Sequence, residues 1–294
     1  MEVTLFKAAI NRKVIVASVN YGYLDFAMNW LCSLQHIGVG NYVFHAMDRP
    51  VYDALFNLGM PVIFYEAEEA KQYIRGGEHN ADEIDDENGA AYGTIAYQAL
   101  MNSRTEMIYT IIQTGYDVLL CDVDIVILRD PFKFFDNKHD LLGGAHKDTK
   151  VTGGFLFLRS NERMRKIWFA VLERHRNVLR AIQKDPNFDP HENTEQEILN
   201  KILVNSSDTD ILWSRIPSDV IVDGNAFFIE RSVQKKGVWP AAIHNNYIIG
   251  KQNKYERFVN VSLWFVDENF KCTAFPGLLP SPPKSMPKLT IKVL

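Results

Sequence analysis

Apolar positions in the first half of the chain follow two alternating periods. Residues 14–19 (VIVASV) form a short β-branched run that predicts a strand, and Leu24, Ala27, Met28, Leu31 and Leu34 then recur at helical spacing until Gly38 and Gly40 end the helix. Residues 42–46 predict a second strand, Pro50 opens a helix at its favoured first position, and residues 62–65 predict a third strand. A long helix over 94–113 leads through Gly115 into the strongly apolar stretch 118–121, which reads as a buried strand. Short apolar runs alternating with amphipathic helices predict an α/β fold with a mostly parallel sheet.

The second half is less regular. Gly153 and Gly154 open a strand that continues as FLFL, a helix runs from Asn161, its expected cap, to about residue 182, and a short helix covers 195–203. Beyond Pro217 the strands are short and their order is harder to read. Residues 76–90 (GGEHNADEIDDENGA) are acidic, Gly-rich and aperiodic, which predicts an exposed loop, with a substrate lid as the functional alternative. The Pro-rich end predicts an extended tail or surface strap, so the expected organisation is one domain over 1–275 and a tail over 276–294. There is no internal repeat.

With 294 residues, 47% hydrophobic and 12% aromatic, the chain can bury a large core. A formal charge of -4 with scattered Lys and Arg offers no basic stripe, which argues against a nucleic-acid partner. Cys32, Cys121 and Cys272 are few and far apart and are expected to be free thiols. No run reaches the roughly 18–20 apolar residues of a membrane span, and Asn11, Arg12 and Lys13 interrupt any signal peptide. The chain as written is expected to be soluble, with cytoplasm or, for a chain separated from an anchor, Golgi lumen as its compartment.

In VLLCDVDIVILRDPF, Asp122 and Asp124 lie one residue apart at the end of the buried strand, so both carboxylates leave on one side while Val123 turns to the core. Paired hard oxygens suit Mg²⁺ or Mn²⁺, and ligands of parallel α/β sheets gather at the carboxyl ends of strands. The alternative is a pair of solvated aspartates. Roughly one chance Asp-x-Asp is expected in a chain this long. Asp208 and Asp210 provide that comparison, in a polar loop that no buried strand precedes. Asp130, before Pro131, reads as a turn residue.

The run DVDIVILRDPF resembles the central motif of the nucleotide-diphospho-sugar transferase family known as glycosyltransferase family 77, which includes plant and protist xylosyl-, arabinosyl- and galactosyltransferases. Four further blocks agree in order: NYGYLDFAMNWLCSLQHIGVGNYVFHAMD, TGGFLFLRSN, EQEILN and IHNNYIIGKQNKYERF, together spanning about residues 14–265. Glu195 stands where the family usually has Asp, and Ile127 where Trp is common. A weaker similarity extends to glycogenin-like enzymes.

The resemblance implies a GT-A type fold, a UDP-sugar donor and a divalent metal, Mn²⁺ or Mg²⁺, held by Asp122, Asp124 and His244. It places Lys251 near the diphosphate and adds Asn20, Tyr21, Arg104, Val123, Gly153, Gly154, Asn245 and Gly250 to the donor-binding set, with Gln196 and Glu195 as catalytic candidates. Each has a simpler reading: rim packing for Tyr21, a solvated helix charge for Arg104, a bulge at Gly153–Gly154, an ordinary helical turn for EQEILN, and a hydrogen-bonded structural residue for His244. The implied activity is transfer of a pentose such as xylose, or galactose, to a glycan or protein hydroxyl with retention. The alternatives are a haloacid-dehalogenase-type phosphohydrolase, whose hhhhDxDx[TV] pattern VLLCDVDIV matches, and a non-catalytic sugar-nucleotide-binding relative.

Overall fold

Side chains on the central strands alternate between two buried faces, which is why these strands read as unbroken apolar runs. In the computed structural model, which describes residues 1–70, 84–85, 89–90, 94–146, 150–185, 188, 190, 193–205 and 210–273, Ile15, Ala17 and Val19 join one core cluster while Val14 and Val16 join the other. Helices cover both faces of the sheet.

The chain opens with α1 (Glu2–Ala8), which the hydrophobic pattern did not predict, and enters β1 (Lys13–Val19). A 3-10 turn at Tyr21–Tyr23 leads to α2 (Leu24–His36), β2 (Tyr42–Ala46), α3 (Arg49–Asn57) and β3 (Val62–Phe64). Within the expected loop, β4 (Ile84–Asp85) and β5 (Gly89–Ala90) pair as an antiparallel ribbon. There follow α4 (Ile95–Gln113), β6 (Asp117–Asp122), β7 (Ile125–Ile127), β8 (Leu141–His146), β9 (Lys150–Leu158), α5 (Glu162–Lys184) and α6 (Glu195–Val204). The described chain ends with β10 (Trp213–Ile216), β11 (Ile221–Val222), α7 (Ser232–Lys235), β12 (Ala242–His244) and α8 (Lys251–Asn260). The tail expected at 276–294 lies outside the described residues, as does Asp208.

Caps set the helix starts that the sequence predicts. The side chains of Asp48, Thr94, Asn161 and Thr194 accept the backbone N–H of Val51, Tyr97, Met164 and Glu197, closing the first turns of α3, α4, α5 and α6. The large sheet has the order β10-β8-β9-β6-β1-β2-β3. It is parallel except at β9, which runs antiparallel to both β6 and β8. A second sheet, β11-β12-β7, carries the chain's later part back to the end of β6.

Two of the three cysteines are bonded, not free. Cys32 on α2 and Cys272 form a disulfide across 240 residues of sequence. Sequence separation carries no sign of it, because tertiary packing makes the meeting. Asn29, one turn before Cys32, donates its side-chain amide to the Leu263 carbonyl at 3.1 Å and accepts the Phe265 N–H at 2.6 Å, which seats the later segment along α2. Cys121 remains a buried thiol, raised in pKa chiefly by burial. No helix among the described residues is long and apolar enough to cross a membrane.

Candidate metal and donor site

The register of two sheets assembles the site. Asp122 ends β6 opposite Ser18 of β1, so the chain at Asn20 and Tyr21 emerges at the same sheet edge. On the other side of β6, Cys121 pairs with Phe155 of β9, which lays Gly154 beside Asp122. The turn after Asp122 carries Asp124 into β7, and β12 pairs antiparallel with β7 so that His244 faces Ile125. The Asn245 N–H donates to the Asp124 carbonyl at 3.0 Å and extends that register by one residue.

Asp122, Asp124 and His244 thus converge, with one ligand-type atom from each lying within 4.8 Å of the others. His244 Nε2 stands 3.4 Å from Asp124 Oδ1 and 3.9 Å from Asp122 Oδ2. The remaining oxygen of each carboxylate is held by a cation. Arg104 Nη1 binds Asp122 Oδ1 at 3.0 Å, and Lys254 Nζ binds Asp124 Oδ2 at 2.6 Å. Each aspartate is therefore pinned on one oxygen and presents the other toward the imidazole. Glycine at 154 is required by this closeness: a Cβ there would collide with Asp122 Oδ2 and come within 2.6 Å of His244 Cε1.

The electrostatics follow from burial and pairing. Burial alone would raise the Asp124 pKa, but Lys254 and then His244 outweigh it and hold the carboxylate ionised. For His244 burial works downward and Asp124 reverses it, so its pKa is raised. Lys254 follows the same logic, with Asp124 overcoming desolvation. Asp122 is the accessible member, its side chain 35% exposed against 8% for Asp124.

Arg104 is not a solvated helix charge, since it is only 7% exposed on α4. Its Nε and Nη2 both bind Glu195 Oε2, at 3.0 and 2.9 Å, while Nη1 reaches Asp122. Glu195 is 1% exposed, and burial raises its pKa against the pull of Arg104. Gln196, the next residue, accepts the Gly153 N–H at 2.8 Å, tying α6 to β9. Tyr21 is half exposed, with its N–H on the Asp48 carboxylate at 2.7 Å, and the Val123 side chain lies in the core. Gly250, at φ 91°, begins α8, and buried Asn245 donates its amide to the Lys254 carbonyl at 2.8 Å.

Lys251 pairs with Asp25 at 3.1 Å, and the ammonium beside the cluster is that of Lys254, three residues on. Sequence reasoning missed Lys254, although a signal was present. Lysines at the first and fourth positions of a helix sit at the positive end of its dipole, a placement that calls for an anion nearby.

A model of the nucleotide-diphospho-sugar transferase family matches residues 38–258, most of the chain and all three members of the cluster. The chain belongs to this family. A UDP-galactose:fucoside alpha-3-galactosyltransferase of Dictyostelium discoideum is 25% identical over 87% of this chain and 43% of its own length. UDP-D-xylose:L-fucose alpha-1,3-D-xylosyltransferase 3 of Arabidopsis thaliana is 25% identical over 89% of this chain and 68% of its own. The chain spans less than half the length of the first of these relatives. Among solved structures, the WbbM bifunctional glycosyltransferase in its apo form superposes with a TM-score of 0.51 at 11% identity, covering 86% of this chain and 50% of that one. The family's α/β architecture of GT-A type is the one observed here, and the phosphohydrolase alternative is not favoured.

A buried histidine supports the approach to α6. His175 Nε2 of α5 meets the side-chain Oε1 of Gln98 at 2.9 Å, and the Gln98 side-chain amide donates to the Pro190 carbonyl at 2.9 Å, ahead of Glu195. Burial and then Arg104 lower the His175 pKa to about 3, and burial lowers that of His45 to about 4. Both are depressed below the unfolded value of about 6.5, so the unfolded chain binds more protons in between. Their contribution to stability is complete above about pH 6.5 and is lost as pH falls toward 4 and then 3. Between pH 7 and 5 the loss is roughly 2 kcal/mol for each histidine. Urea midpoints at the two pH values should show this fall, and His175→Gln should show about half of it. An equal fall in the variant would remove His175 from the account.

Proposed function

We propose that this chain is the catalytic unit, one domain over residues 1–275, of a metal-dependent glycosyltransferase that moves a sugar from a UDP-sugar to a hydroxyl of a glycan or glycoprotein. The observation that carries this reading is the convergence of Asp122, Asp124 and His244 at the carboxyl edge of the sheet. Two carboxylate oxygens and one imidazole nitrogen fit a divalent ion, and the nitrogen ligand favours Mn²⁺ over Mg²⁺. Such an ion, when bound, neutralises the diphosphate as it leaves the sugar.

The chain's own residues do the positioning. Arg104, fixed by Glu195, holds Asp122 by one oxygen so that the other is offered to the ligand set. Asn20 and Tyr21 lie on the same edge for the nucleotide base, and Gln196 holds the Gly153–Gly154 strand that floors the site. Relatives named for UDP-galactose and UDP-D-xylose support those two sugars as first choices, and retention of configuration is what the family resemblance implies.

A panel of UDP-sugars incubated with the protein and Mn²⁺ tests the proposal by release of UDP. Turnover of at least one donor, abolished by a chelator, is expected. Donor binding without turnover would instead identify a non-catalytic relative. Asp124→Asn should reduce turnover more than Asp122→Asn, because it removes a ligand oxygen and also leaves the partly buried Lys254 ammonium uncompensated. A loss of about a hundredfold or more is expected at Asp124, and almost none for Asp208→Asn. Equal losses at Asp208 and Asp124 would sink the assignment.

A further inference from the structure

The two cations at the cluster are not equivalent. Arg104 is locked, since Glu195 takes two of its nitrogens and both partners are buried. Lys254 bonds the cluster through a single ion pair, to Asp124, from the first turn of α8, with Asp122 acting on it only at longer range. Three carboxyl groups, Asp122, Asp124 and Glu195, share these two cations around His244. A divalent ion arriving alone finds most of the attraction already spent on Arg104 and Lys254. A nucleotide diphosphate brings further negative charge and a second destination for a lysine.

Building on the reading of the site given above, we propose that Lys254 is an exchangeable counter-ion, which holds Asp124 in the metal-free protein and transfers to the donor's diphosphate as the metal binds. Metal and nucleotide then bind as one unit. Each raises the other's affinity by the same factor, as linkage requires. Arg104 remains in place throughout, keeping Asp122 oriented whether or not metal is present.

Removing Lys254 should then strengthen binding of the metal alone. Mn²⁺ binding to the full chain can be followed by loss of the free-ion electron paramagnetic resonance signal, with no nucleotide, with UDP and with uridine. In the wild type UDP should raise Mn²⁺ affinity about tenfold or more, and uridine, which has no diphosphate, should leave it unchanged. In Lys254→Met, Mn²⁺ alone should bind about tenfold more tightly than to the wild type, and the UDP effect should shrink to within about threefold. Lys251→Met removes the same charge from the same helix but away from Asp124, and should alter metal-only affinity by less than about threefold.

Unchanged or weaker metal-only binding in Lys254→Met overturns the inference and leaves Lys254 a simple diphosphate ligand. Enhancement by uridine equal to that by UDP, a measurement made on the wild type and independent of any variant's folding, also overturns it. Failure of the wild type to bind Mn²⁺ even with UDP would overturn the glycosyltransferase reading itself, so the two failures are distinguishable.

Discussion

Gly154→Ala is expected to weaken Mn²⁺ binding in the presence of UDP about a hundredfold, equivalent to ~2.7 kcal/mol, within the range for overpacking a filled site. The added methyl collides with Asp122 Oδ2 and lies 2.6 Å from His244 Cε1, so two of the three ligand groups must move to admit it. The backbone is not the obstacle, because Gly154 is not among the glycines with positive φ. Gly153→Ala provides the comparison. Its Cβ would meet Gln196 first, at 3.2 Å and away from the ligand groups' nearest atoms, and a loss of less than about fivefold is expected. Titration of both variants with Mn²⁺ and UDP, alongside melting curves, separates damage to the site from damage to the fold. Similar losses in the two variants would refute the steric account.

The second large effect concerns the covalent tie between Cys32 and Cys272. In the chain-entropy view, closing a loop of 240 residues is worth about 5 kcal/mol, and measured losses on removing a native disulfide commonly fall between about 2 and 5 kcal/mol. Cys272 is exposed while Cys32 is buried, so a reductant attacks from the Cys272 side. Denaturant unfolding of the reduced wild type and of Cys272→Ser should coincide, both well below the oxidised protein. A reduced protein within about 1 kcal/mol of the oxidised one would show that packing along α2 holds the later segment without the bond.

What the hydrophobic pattern revealed, and where it failed, divides by the range of the interaction. β1, β2, α3 and α5 were legible because their burial, caps and period lie within a dozen residues, as with Asp48 before Pro50 or Asn161 before Met164. β7 and β12 are three residues each, too short for a period to register, yet their pairing brings His244 to Asp124. The Asp-x-Asp pair was visible as a strand end, whereas His244 entered only through resemblance to a family. Arg104 entered the donor-binding set through the same resemblance, and a solvated helix charge stood beside it as the simpler reading because nothing local shows that α4 is buried there between Asp122 and Glu195. The disulfide was invisible for the same reason, since its partners lie 240 residues apart in sequence and only the tertiary fold brings them together.

That tie also changes what a break in the backbone does. Cys32 and Cys272 enclose almost the entire fold, including every member of the metal cluster, in one covalent ring. A single proteolytic cut anywhere between them opens the ring without releasing a fragment, so a nicked molecule travels as one species until it is reduced. Electrophoresis after limited digestion should therefore show an intact band without reductant and two pieces with it. Cuts beyond Cys272 release their fragment under both conditions.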